Sequence, residues 1–386
     1  MSQNKVDTNQ NQQKVALGLS GGVDSALAAH LLVEQGYQVT AVRFPCLNQA
    51  SCRNQRDRLD AEQIAEQLGI PFVEQDLPQQ YQQQIVDYFI SEYEQGRTPN
   101  PDVICNQIIK FGWFYQWAMA NNFQMAATGH YAQIAAADNG RYFLSTSADE
   151  NKDQTYFLHR LQQEQLPQII FPIGHLQKTQ VRQLAKKYQL PVAAKKDSTG
   201  LCFVCNMSVQ EYLQDKLGTK PGPVVDTAGK TIGTHQGLWF YTIGQRKGFT
   251  VNKKLVQQKT DMLTKDSDLP PLYVVGKNLD NNQLIVGPRR EAQSKNFTLT
   301  DLHLINPDLE LSNLPLQVKI RHQGRLISCQ LRPAANQQYQ IELAEAVFGV
   351  SPGQFAVLYT EPDQLAYKLD AESASLICLG GAVICR

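Results

Sequence analysis

Ser20-Gly21-Gly22-Val23-Asp24-Ser25 stands between an apolar run, Lys14–Leu19, and a stretch, Asp24–Gln35, that carries Leu27, Leu31 and Leu32 at helical spacing before Gly36. A strand, a tight glycine loop and a helix in that order open a wound α/β sheet. Two glycines let the backbone close on an anion, and the helix N-terminus offers free N–H groups and a favourable dipole. The serine hydroxyls add donors, and Asp24 is suited to a hydrated magnesium. A glycine turn that only caps a helix is the plainer reading of the same residues. The loop lacks both the lysine of a Walker A motif and the Gly-x-Gly-x-x-Gly spacing of a dinucleotide site.

Outward from the loop, strand-like and helix-like segments alternate. Tyr37–Arg43, Pro71–Leu77 and Gln124–His130 read as strands, Asp60–Leu68 and Phe111–Ala120 as helices, and Asp138-Asn139-Gly140 as a hairpin turn. The pattern predicts a doubly wound parallel sheet with ligands at the carboxyl ends of its strands. Residues 1–13 are polar and read as a disordered tail, leaving 14–212 for this domain. Glycines and prolines from Lys220 to Pro271 suggest a small central domain over 213–271. Short strand-like runs from Leu272 onward suggest an all-β barrel over 272–386.

Composition sets limits. The 386 residues carry 36 Lys+Arg against 36 Asp+Glu, which argues against a uniformly basic nucleic-acid coat but leaves room for a local basic face. No apolar run approaches the roughly 18 residues of a membrane span. Eight cysteines in a chain of this length do not make a disulfide scaffold. The expectation is a cytoplasmic, monomeric protein without a membrane partner.

Two cysteine segments narrow the chemistry. In Asn100-Pro101-Asp102-Val103-Ile104-Cys105-Asn106, Asp102 and Cys105 share one face of a helical turn, so the carboxylate can orient the thiol or take a proton. A helix start capped by Asp102, with a half-buried cysteine, is the alternative. In Lys195-Lys196-Asp197-Ser198-Thr199-Gly200-Leu201-Cys202-Phe203-Val204-Cys205, the lysines suggest an electropositive loop favouring thiolate. A four-thiolate zinc site would need a second close cysteine pair, which the chain lacks, while a Cys202–Cys205 redox pair stays open.

Together the loop and both cysteine segments resemble the tRNA-specific 2-thiouridylase family, within the ATP pyrophosphatases. The resemblance runs over nearly the whole chain from Lys14 and includes Ala127-Thr128-Gly129-His130-Tyr131, Lys152-Asp153-Gln154-Thr155-Tyr156-Phe157-Leu158, Phe171-Pro172-Ile173-Gly174, Tyr241–Gly248 and Pro352-Gly353-Gln354. It implies a three-domain enzyme that replaces the 2-oxygen of the wobble uridine of tRNA with sulfur, using ATP and Mg2+. Carried over by position, Gly18, Leu19, Ser20, Gly21, Gly22, Val23, Asp24, Ser25, the Phe44 backbone and Gly129 bind ATP, with Asp24 on the metal. Asn100, Pro101 and Asp102 contact the target base. Lys152, Asp153, Gln154, His130, Arg246, Arg321, His322 and Gln354 contact tRNA. Cys202 carries a persulfide sulfur received from a donor protein, and Cys105 is its partner thiol.

The sequence departs from the family at Phe44-Pro45-Cys46, at His322 where a tyrosine is usual, and at Cys205-Asn206 where Gly-Glu is common. Other basic pairs, Lys253-Lys254, Arg289-Arg290 and Arg325, are further candidates for phosphate contact. An amide-forming ligase would use the same loop without either cysteine, and an RNA-binding protein would use it only as structure.

Overall fold

A computed structural model describes residues 13–44, 52–77, 79, 82–197, 207–252, 271–370 and 376–385. Val15, Ala16 and Leu17 of β1 (Lys14–Gly18) have no exposed surface, as expected of a strand covered on both faces. The chain then runs through α1 (Val23–Glu34), β2 (Gln38–Arg43), α2 (Cys52–Leu68), β3 (Phe72–Glu74), α3 (Tyr88–Glu94), α4 (Pro101–Cys105) and α5 (Tyr115–Ala120) to β4 (Met125–Thr128). A hairpin of β5 (Gln133–Ala136) and β6 (Tyr142–Ser145) follows, then α6 (Thr155–Leu158), β7 (Ile169–Ile170) and α7 (Lys178–Lys187). The first sheet is parallel with order β3-β2-β1-β4-β7. Winding reverses between β1 and β4, so the crevice for a ligand lies where those two strands end.

The helix expected over Phe111–Ala120 begins ten residues earlier. Pro101 occupies the first turn of α4, and the Asn100 side chain accepts a hydrogen bond from Val103 N at 3.4 Å. Asn100, and not Asp102, is therefore the cap, in the favoured order of an N-cap followed by proline. A π-helical stretch, Asn106–Phe114, joins α4 to α5. The wider turn is of a kind often found at functional sites.

The central sheet has order β10-β9-β8-β12-β11, from β8 (Gly222–Val225), β9 (Thr231–His235), β10 (Thr250–Val251), β11 (Tyr273–Asn278) and β12 (Gln283–Gly287). The segments at 273–287, assigned by pattern to the C-terminal barrel, belong here because β12 pairs with β8. Alternating polarity identified the strands but not their partner sheet.

In the barrel, β13 (Gln293–Leu304), β14 (Leu316–Lys319), β15 (Ile327–Pro333), β16 (Tyr339–Phe348), β17 (Phe355–Thr360) and β18 (Ile377–Ile384) follow the order β13-β16-β15-β14-β17-β18, closed by β13–β18 pairing. At its other end β18 pairs with β6, through Ile377 opposite Ser145 and Cys378 opposite Leu144. The β5–β6 hairpin of the first domain is thus continuous with the sheet of the third. Among the described residues no helix is long and apolar enough to cross a membrane.

The three domains meet around a cavity of about 340 Å³ lined in part by Arg97, Lys277 and Val350. Lys277 donates to Gly96 O at 2.8 Å, and burial lowers its pKa from the usual 10.5 to about 8. Protein crowds the ammonium enough to disfavour its charge. Between about pH 8 and 10.5 the folded chain binds fewer protons than the unfolded chain, so stability rises with pH across that window. The shift corresponds to roughly 3 kcal/mol at neutral pH, offset by about 1.5 kcal/mol from the hydrogen bond. Lys277→Met is expected to raise stability by about 1–2 kcal/mol at pH 7, with the gain gone near pH 10. Urea unfolding at both pH values measures it, and an equal gain at both contradicts the account.

Candidate active site

The phosphate loop leaves the carboxyl end of β1. Gly21 has φ +75°, and a side chain there would run into the Asp57 carbonyl. Gly22 is the N-cap of α1 and no side chain among the described residues caps the helix, which leaves the first-turn N–H groups for an anion. The serines expected to donate to phosphate first shape the loop: Ser25 Oγ donates to Gly22 O at 3.1 Å and accepts from Ser20 N at 3.2 Å. Gly18 ends β1, Leu19 N donates to Val42 O at 2.8 Å, and Val23 is buried, so these three line the loop from behind. From the end of β4, Gly129 presses against the same turn; a Cβ there would lie 2.7 Å from Ser25 N and 2.8 Å from Asp24 C. The Phe44 ring packs edge-on to Trp113 and Phe114, each at 5.1 Å between centroids, an arrangement that leaves its backbone for a ligand.

Asp24 is the charged residue of the loop, and its carboxylate is engaged. Lys178 Nζ donates to both oxygens, at 2.7 and 2.8 Å, and Tyr131 OH donates to one at 2.8 Å. The same ammonium lies 2.8 Å from Asp197, which also receives Lys152 at 2.9 Å and Arg182. Burial raises the Asp197 pKa, but the hydrogen bonds from Lys178 and Lys152 outweigh it and hold it at about 2. Of the two lysines expected to make the cysteine loop electropositive, Lys195 is engaged elsewhere. Lys195 donates to Gly21 O at 2.7 Å and is neutralised by Asp57 and Asp60. Cys202 and Cys205 lie outside the described residues.

A contact chain leads from this loop to the first cysteine. His130 follows Gly129 and is buried; its Nε2 lies 3.2 Å from Lys110 Nζ and its Nδ1 2.7 Å from Thr128 Oγ1. An ammonium only donates, so Nε2 accepts and the proton sits on Nδ1. Burial first, and Lys110 second, hold the ring well below the usual histidine pKa and hence neutral. Lys110 stands on the π-helical stretch, one helix with Asp102 and the half-buried Cys105. Asp102 keeps exposed surface, yet desolvation by the surrounding protein raises its pKa, against the opposing pull of Lys110.

The residues expected to touch tRNA divide by burial. His130 has both ring nitrogens engaged, and Asp153 is buried, accepting from Ser147 N at 3.1 Å and Thr155 Oγ1 at 2.8 Å. In this structure both are held by hydrogen bonds within the chain. The Gln154 side chain accepts from Tyr131 N at 2.9 Å, and Gln354 donates to Thr98 O at 2.8 Å and Pro99 O at 3.1 Å, pinning the turn before Asn100 from the barrel side. The His322 ring lies against Phe157 at 4.3 Å between centroids, and its buried Nδ1 has no hydrogen-bond partner among the described residues. Arg246 and Arg321 are exposed. Arg289 instead lies over the Phe348 ring at 4.2 Å, and Arg325 pairs with Glu345. Lys253 and Lys254 lie outside the described residues.

Reading the motifs missed Lys110, Tyr131 and Lys178. Tyr131 sits inside a quoted motif and Lys110 four residues beyond one, and both drew no role because their neighbours were more distinctive. Lys178 follows Gly174 by four residues, and only the fold brings it to Asp24.

Comparison with known proteins gives matches along the length of the chain. Residues 13–206 match the family described as tRNA methyl transferase HUP domain, 210–288 the tRNA methyl transferase PRC-barrel domain, and 294–384 the aminomethyltransferase beta-barrel domain. The chain is 38% identical over 380 residues to the tRNA-specific 2-thiouridylase MnmA of Chromobacterium violaceum, covering 97% of this chain and 92% of that one. It is 36% identical to the protein of the same name from Idiomarina loihiensis, covering 96% of each, and 37% identical to that of Lactococcus lactis, covering 97% and 95%.

Proposed function

Because the chain belongs to the tRNA-specific 2-thiouridylase family, we propose that it replaces the 2-oxygen of the wobble uridine of tRNA with sulfur, at the cost of ATP. The observation that carries the reading is the run of contacts from the phosphate loop through Gly129, His130 and Lys110 to the helix of Asp102 and Cys105. It links an ATP-binding loop to a helix that carries a thiol, which supports this reading. Methyl transfer, the reaction in the domain descriptions, leaves a pyrophosphate loop without a task, and an amide-forming ligase leaves Cys105 without one.

A uridine 2-oxygen is a poor leaving group, and transfer of AMP to it makes it a phosphate ester that can depart. The first turn of α1 and the loop N–H groups hold the triphosphate and stabilise the pyrophosphate released. Asn100, Pro101 and Asp102 face the target base, which must be turned out of the anticodon loop to reach them. Asp102, whose desolvation keeps its proton to higher pH than a free carboxyl, is placed for proton transfer.

Sulfur arrives on Cys202 as a persulfide from a donor protein. Its terminal sulfur bonds to the activated carbon as AMP leaves. The Cys105 thiolate then attacks the Cys202 sulfur, the S–S bond breaks toward the nucleoside, and a Cys105–Cys202 disulfide remains for reduction in the cytoplasm. In the alternative order Cys105 attacks first and releases sulfide, which adds to the carbon.

Magnesium, when bound, screens the triphosphate and aids pyrophosphate departure. Among the described residues no group of three His, Cys, Asp or Glu side chains stands ready for a metal. The fit is instead that of magnesium held by one carboxylate, Asp24, together with phosphate oxygens. The Asp24 carboxylate does not cap α1, so a capping role is set aside. Asp24→Asn is expected to slow pyrophosphate release and to raise the half-maximal magnesium concentration by about tenfold, the equivalent of 1.4 kcal/mol, with tRNA affinity unchanged. An unshifted magnesium curve at full rate sinks the metal role.

The overall reaction is tested by pyrophosphate release that requires ATP and tRNA together, and by nucleoside analysis of tRNA from cells lacking the protein. Release without tRNA, or undiminished 2-thiouridine, refutes the assignment.

A further inference from the structure

Among the described residues, Lys178 is the one that pairs with both Asp24 of the phosphate loop and Asp197. Its backbone is fixed: Lys178 N donates to Asp149 Oδ2 at 2.8 Å, and the Gln177 side chain before it donates to Ala148 O at 2.8 Å. Its ammonium therefore swings from a firm base, the first turn of α7. The two carboxylates it bridges are unequally provided. Asp197 keeps Lys152 and Arg182 if Lys178 moves away, whereas among the described residues Lys178 is the only cation on Asp24. Lys178 and a metal ion compete for the same two oxygens of Asp24, since both are occupied by the ammonium.

We propose that Lys178 is a resident stand-in for the divalent cation at Asp24, exchanged for magnesium when the triphosphate arrives. The inference rests on the reading of Asp24 as a metal-binding residue. Without nucleotide, a metal ion entering the loop leaves the ammonium only Asp197, which already holds Lys152 and Arg182. With ATP present, the metal takes Asp24 and the Lys178 ammonium passes to a triphosphate oxygen, so no charge in the crevice is left unpaired. The exchange makes metal binding conditional on nucleotide. It also makes Lys178 a positioning residue for the triphosphate.

The test uses the full chain without nucleotide and Mn2+ as probe, titrated by the loss of its free paramagnetic resonance signal. Lys178→Gln and Lys178→Met are expected to bind Mn2+ roughly 5- to 150-fold more tightly than the unaltered chain, the usual size of a coupling between two binding events. Lys178→Arg keeps the charge and is expected to stay near the unaltered value. The gain should vanish in the Asp24→Asn, Lys178→Gln double variant. With ATP, the Gln and Met variants should show a raised KM for ATP. If either neutral variant retains its melting temperature and binds Mn2+ no more tightly without nucleotide, the exchange is overturned. That outcome is separable from failure of the underlying reading, which shows as an unshifted magnesium curve for Asp24→Asn in the presence of ATP and tRNA.

Discussion

Gly129→Ala is expected to reduce pyrophosphate release at subsaturating ATP by roughly a thousandfold while leaving the fold and tRNA affinity close to unchanged. The added methyl would sit 2.7 Å from Ser25 N, 2.8 Å from Asp24 C and 2.9 Å from Ser25 Cα. All three atoms are helix backbone, and no side-chain rotation relieves the clash. Overpacking of this kind costs about 1–3 kcal/mol, which corresponds to roughly 5- to 150-fold in ATP affinity if the first turn of α1 gives way. A displacement of about 1 Å at a reacting group adds around a hundredfold in rate. ATP titration by calorimetry and pyrophosphate assay separate the two factors. Near-normal ATP binding by a folded Gly129→Ala chain would mean that β4 and α1 can part without disturbing the loop.

Cys202→Ser is expected to abolish thiolation altogether, with ATP and tRNA affinities within a few-fold of the unaltered chain. Serine matches cysteine closely in volume but cannot carry a persulfide, so the variant should stop after the nucleotide-dependent step. Cys205→Ser should be nearly silent, because only Cys202 falls at the family's sulfur-carrying position. Mass spectrometry of the nucleosides, with a persulfidated donor protein supplied, reads both variants. Full thiolation by Cys202→Ser refutes the role, and a reversed pattern transfers it to Cys205.

The beginning of the first sheet was legible because β1, the glycine loop and α1 follow one another without a break in pattern. The strand β18 was not. Gly380-Gly381 inside it resembles a turn in sequence, but Gly380 has φ +138° and lies against the backbone of His303 and Leu304, while a side chain at Gly381 would strike the His159 ring. Those glycines mark a close approach of strands, which only the partner strand reveals. The start of α4 was within reach, since Asn100-Pro101 is an N-cap followed by proline, but the cysteine segment drew attention to Asp102 instead. Cys105 and Asp102 could be named from spacing. Lys178 could not, because 154 residues separate it from Asp24 and its position depends on how α7 crosses the sheet.

The pairing of β6 with β18 bears on how the chain is made. β6 emerges from the ribosome more than 200 residues before β18, and at about 5–20 residues per second that interval lasts roughly 10–50 s. Throughout it, the nucleotide-binding domain carries an open strand edge at Leu144 and Ser145 whose eventual neighbour does not yet exist. The nascent chain thus passes through a long period in which its most complete domain is also its stickiest. A stall in translation within the barrel prolongs that exposure.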